Sequence, residues 1–120
     1  MQFPTLSQLS PYYNRVDLLQ MVVEQLQKDF NWFGFELTFS GKEGETPYQE
    51  LYVQVLPLVE ELLNDDYPKL MALLYRIDID ERMLNKKLKE NHHSDTDEVI
   101  ADLILKRALQ KVIIRTTYGS

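Results

Sequence analysis

The chain has 120 residues, 44% of them apolar and 27% charged, so it can bury roughly 65% of its unfolded surface in one core without a covalent or metal staple. It contains no cysteine, which excludes disulfide frameworks, thiol nucleophiles and thiolate-bound zinc or iron–sulfur centres. The formal net charge of −6 argues against nucleic acid as a partner, because phosphate binding is built on surplus lysine and arginine.

The first fifteen residues combine neither a basic start nor an unbroken apolar run, so no secretory leader is expected. No stretch approaches the 18 apolar residues a membrane span needs. The expectation is a cytoplasmic protein, and the absence of cysteine suits a reducing compartment. Its charge is polarised. Residues 1–75 carry 4 basic and 11 acidic side chains, whereas residues 76–120 carry 9 and 8. Such asymmetry can orient an acidic face toward a basic partner or align two copies head to tail; a solvated surface explains it equally.

In chain order, Ser10-Pro11 reads as a capped helix start with proline in the first turn. Tyr12, Val16, Leu19, Val23, Leu26 and Phe30 then fall on one face of a helix over about 11–30. Phe33, Phe35, Leu37 and Phe39 follow at period two, the spacing of a strand. A lone strand lacks a hydrogen-bonding partner. The segment of about 31–40 is therefore expected as an extended piece lying on the helices rather than as half of a hairpin returning through residues 51–55. A polar loop, GKEGETP, comes next.

Thr46-Pro47-Tyr48-Gln49 has the form of a capping box, and the apolar residues from Tyr48 to Leu63 keep helical spacing. Pro57 lies inside that run, where proline removes a hydrogen bond and costs about 3 kcal/mol, so this second helix is expected to kink or break. Asp65-Asp66-Tyr67-Pro68 opens a third, short helix reaching Ile77, and Asp78 with Glu81 reads as the cap of a fourth over about 79–90. Asn91-His92-His93 is the stop. The last helix starts at Ser94-Asp95-Thr96-Asp97-Glu98, with acids at its beginning and Lys106, Arg107, Lys111 and Arg115 toward its end, an order that matches the helix dipole. The sum is an all-α, compact five-helix bundle in a single domain over residues 1–120.

Two stretches, residues 65–79 with their "LLYRID" turn and residues 101–113 with the pattern "KR-LQK", resemble a group of small uncharacterised bacterial helical proteins. The resemblance covers roughly residues 65–115. It implies a helical protein of the bacterial cytoplasm and brings no activity with it.

Four groups could carry function. Arg76 stands between two helices, near Asp78, Asp80 and Glu81 in sequence. It reads either as a structural ion pair fixing the interhelical angle or as an anion pocket. The run from His92 to Glu98 gathers metal-ligand types in one loop, without the converging helical spacings that metal sites use. Trp32, Phe33, Phe35 and Phe39 are dense enough to anchor a protein partner or a second copy of the chain, or else to close one end of the core. Arg107, Lys111 and Arg115 form a basic stripe, which dipole complementarity explains more simply than polyanion binding. Enzymatic signatures are absent: the four glycines form no phosphate-cradling loop, and no G-x-S-x-G or H-E-x-x-H occurs.

These observations favour a small helical protein–protein interaction module without catalytic activity, binding a protein partner or itself and needing no cofactor. The alternative is a helical enzyme or ligand-binding protein built on a carboxylate or Arg76-centred pocket.

Overall fold

The computed structural model describes residues 4–40 and 46–117. Two short 3-10 turns, Leu6–Gln8 and Ser10–Tyr12, precede five helices: α1 Val16–Trp32, α2 Pro47–Asp65, α3 Tyr67–Arg76, α4 Glu81–Glu90 and α5 Thr96–Thr117. No strand occurs among the described residues, and no described helix is long and apolar enough to cross a membrane. The expected five-helix, all-α fold is present. The polar loop expected after Ser40 lies, at 41–45, outside the described residues.

One hydrophobic core joins all five helices, and α5 is its axis. Val99, Ile100, Ala101, Leu103, Ile104, Leu105, Ala108, Leu109, Val112 and Ile113 are all buried, so its apolar residues occupy nearly the whole circumference. A helix of that composition belongs inside a protein rather than on its surface. The other helices are amphipathic and supply the walls. Leu19, Val23, Leu26 and Phe30 face inward from α1, and Leu51, Val55, Val59 and Leu62 from α2. Each such side chain stabilises the fold by about 1.5–3 kcal/mol relative to exposure.

Three local expectations change. Ser10-Pro11 opens a 3-10 turn, and α1 begins only at Val16. α2 runs without a break through Pro57. Pro57 and Val53 both lie on the exposed face of α2, so water can reach the Val53 carbonyl that proline leaves without its helical donor. The cap of α4 is Asp80, whose side chain accepts from the Met83 amide at 2.8 Å. Asp78 is instead a left-handed residue, with φ 68°, in the turn that ends α3.

The aromatic segment is extended but has no strand partner. Side chains take that place. Gln27 of α1 donates to the Phe35 carbonyl at 3.0 Å and accepts from the Leu37 amide at 2.7 Å. Gln54 of α2 does the same to both backbone groups of Thr38, at 2.8 Å each, and Glu50 accepts from the Ser40 amide. Two carboxamides thus reproduce the donor–acceptor pattern of a neighbouring strand. The period-two pattern follows: Phe35, Leu37 and Phe39 turn toward the core while Glu36, Thr38 and Ser40 face out.

Candidate functional site

The corner where α1 and α3 end brings together two groups that are distant in sequence. Trp32 closes α1, and Arg76 closes α3 with its guanidinium carbon 4.9 Å from the centre of the indole ring. Arg76 Nε also donates to Asp29 Oδ1 at 2.9 Å. The arginine is therefore held by a carboxylate one helix away and by the face of an aromatic ring. It does not pair with Asp78 or Asp80 as its sequence neighbourhood suggests. Asp78 pairs with Lys111 of α5 and accepts at its carbonyl from Arg107 Nε at 3.2 Å, while Asp80 caps α4.

Of the four aromatic residues singled out in the sequence, only Trp32 stays largely in solvent, at 72% exposure. Phe33, Phe35 and Phe39 are half-buried against the core, and the Lys69 ammonium sits 5.1 Å over the Phe35 ring. The structure adds two exposed aromatics that sequence reasoning passed over. Tyr75 is 80% exposed and Tyr67 is 53% exposed. Tyr75 lies on the face of α3 opposite Leu70, Leu73 and Leu74, so the helical period did contain its signal. Tyr67, at the first position of the helix, lies on the side of Leu70 and Leu74, where periodicity gives no hint of exposure.

Beside this corner, α1, α3 and α5 form an open groove of about 500 Å³, lined by Lys28, Asp29, Arg76, Arg107, Lys111 and Arg115. The basic stripe of α5 thus faces two further cations contributed by other helices.

A second cavity, of about 490 Å³, lies between α2, α4 and α5 near the opposite end of α5. Its wall carries a polar chain. Tyr48 donates its hydroxyl to Asp102, whose other carboxylate oxygen meets Lys106 Nζ at 2.8 Å. The Tyr48 ring stacks on Tyr13 at 4.0 Å between centroids. Burial pushes the Tyr48 phenol well above its ordinary pKa, and the charge and hydrogen bond of Asp102 push the same way. Burial opposes the Lys106 charge, but Asp102 outweighs it and the ammonium pKa is raised. The phenol is thus held protonated and the ammonium charged, and each is already partnered by Asp102. No buried side-chain nitrogen or oxygen lacks a partner among the described residues.

At the start of α5, Asp95, Asp97 and Glu98 bring carboxylate oxygens within 4.8 Å of one another. A calcium ion would require them at about 2.3–2.6 Å from a common centre. His92 and His93 do not join them; the two rings stand 3.9 Å apart and His92 Nδ1 lies 3.2 Å from the Lys89 carbonyl. Hydrogen bonding to Asp95 raises the Glu98 pKa, and hydrogen bonding to Asp97 raises that of Glu60. The negative charge here suits the helix N-terminus.

Comparison of the chain with known protein families, with curated proteins and with solved structures yields no match.

Proposed function

We propose that this protein is a cytoplasmic recognition module that docks a protein partner at the corner formed by the ends of α1 and α3. The observation that carries this reading is the exposure of Trp32 and Tyr75, at 72% and 80%, near Arg76, which follows Tyr75 in sequence and lies against the Trp32 ring. Tryptophan, tyrosine and arginine are the residues that dominate interface energetics, because each buries a large, semi-rigid surface while keeping a polar group to orient it. Leaving an indole and a phenol in water wastes that burial unless something covers them. Recognition is preferred to catalysis because the Tyr48–Asp102–Lys106 chain has its charges paired and its phenol held protonated.

The test compares the parent chain with Trp32→Ala and Tyr75→Ala. Both side chains are exposed, so each variant keeps its stability within about 0.5 kcal/mol. Light scattering and cross-linked capture from the native host should show a complex or dimer for the parent and its loss in both variants. A strictly monomeric parent that captures nothing, or variants that retain every partner, would end this reading.

A further inference from the structure

We propose that the groove between α1, α3 and α5 binds a small multivalent oxyanion of the polyphosphate class. Five cations line it, Lys28, Arg76, Arg107, Lys111 and Arg115, against one acid, Asp29. Asp78 adds a second carboxylate through its contact with Lys111. Five positive charges against two negative ones leave three, gathered on a protein whose net charge is −6. The space, about 500 Å³, falls in the roughly 300–1,000 Å³ range of small-molecule sites.

Dipole compensation is the simpler explanation for some of these residues. Arg76 and Arg115 stand in the last turns of α3 and α5, where a cation is favoured without any ligand. That effect fades beyond the last turn. Arg107 and Lys111 lie well inside α5, which continues to Thr117. Nor does a dipole require three helices to direct their cations at one concave surface. Lys28 and Arg115 have no ion-pair partner among the described residues, so part of this charge is not spent on the fold.

The chain's own carboxylates mark where a ligand's oxygens would sit. Asp29 Oδ1 lies 2.9 Å from Arg76 Nε, and the Asp78 carboxylate lies against Lys111 Nζ. Arg107 is held in place by its bonds to the Asp78 carbonyl at 3.2 Å and to Gln110 Oε1 at 2.7 Å. Its remaining terminal nitrogen, Nη2, has no partner among the described residues. Guanidinium forks match phosphate oxygens and lysine adds point charge, so the groove has the donor types that phosphoryl groups select. The three uncompensated charges call for a ligand of similar opposite charge, such as a di- or triphosphate group, rather than a single orthophosphate.

Calorimetric titration of the full chain with tripolyphosphate at low ionic strength tests the assignment, with orthophosphate alongside. Tripolyphosphate should bind, and orthophosphate should bind about tenfold more weakly or worse, since each charged hydrogen bond lost is worth roughly a factor of ten. The double variant Arg107→Gln/Lys111→Gln should weaken tripolyphosphate by about tenfold or more on the same basis, its melting curve without ligand establishing that it folds. Asp78→Asn should tighten binding, because it removes a competing carboxylate while asparagine tolerates the left-handed turn. A purely structural role for Asp78 gives no such gain. Tyr75→Ala should leave the anion affinity unchanged, which separates this site from partner docking. Absence of heat with tripolyphosphate, unchanged affinity in the double variant, or tighter binding of a short single-stranded oligonucleotide would each overturn the proposal.

Discussion

α1 and α3 end in the same turn, built on different residues. After α1, the Gly34 amide donates to Asn31 and the Phe35 amide to Phe30; after α3, Asp78 donates to Tyr75 and Ile79 to Leu74. Both are the paired 5→2 and 6→1 bonds of a Schellman ending. The pivot residue is left-handed in each, with φ of +83° at Gly34 and 68° at Asp78. Glycine is the expected residue there; an L-amino acid gives up roughly 1–2 kcal/mol, aspartate among the least. The second turn carries that cost while its pivot binds α5, through the carbonyl to Arg107 and the carboxylate to Lys111. The pivot of the first turn has no side chain with which to make such contacts. The second couples the end of α3 to the basic side of α5.

The two turns are also anchored differently, and the largest expected effect tests this. The chain leaving Gly34 is held by the neutral Gln27 carboxamide, at the Phe35 carbonyl and the Leu37 amide. Leu37 is buried, so Gln27→Ala strands its amide and should destabilise the protein by about 1–3 kcal/mol. Chemical denaturation measures this. The loss should be insensitive to salt, and a strongly salt-dependent loss would contradict a neutral anchor. Next in size is Gly34→Ala. A β-carbon at Gly34 meets nothing within 4 Å, so backbone strain of about 1–2 kcal/mol is opposed only by the roughly 0.5–1 kcal/mol that alanine removes from unfolded-state entropy, a net loss of about 1 kcal/mol. A neutral result would mean that the turn relaxes to another conformation.

How much of this was legible in the sequence depends on the range of the interaction. Local signals held: Asp66 caps α3 through the Lys69 amide, Pro68 sits in its first turn, and the apolar residues of α2 face the core. Signals with two local readings failed. Asp78 and Asp80 both resemble caps, and the role falls to Asp80 because Asp78 is taken up as the left-handed pivot that ends α3 and contacts α5. Side-chain partners far along the chain left no trace in the pattern. Gln54 binds Thr38 from 16 positions away, and Arg76 finds Asp29 across 47. The groove was visible only in part: the stripe of Arg107, Lys111 and Arg115 shows in the period of α5, but Lys28 and Arg76 join it from two other helices. The central place of α5 was readable but missed, because its charge order drew attention from an apolar circumference that only a buried helix has.

The smaller effects fall on the second turn. Asp78→Ala keeps the left-handed strain and loses the carboxylate, so it should cost about 1 kcal/mol. Asp78→Gly sets opposing terms against each other. Glycine relieves the strain, but it adds roughly 0.5–1 kcal/mol of unfolded-state entropy and forfeits the exposed Lys111 pair, worth about 0–1 kcal/mol. The net change should lie within about 0.5 kcal/mol of zero, against the larger loss at Gly34. Its direction should depend on salt. Ions screen the Asp78–Lys111 pair in the parent, so raising ionic strength should shift the balance toward the glycine variant. An Asp78→Gly variant clearly more stable than the parent even at low salt would show that relief of strain outweighs what aspartate contributes to the fold at this pivot. Its retention there would then have to be explained by the groove it borders.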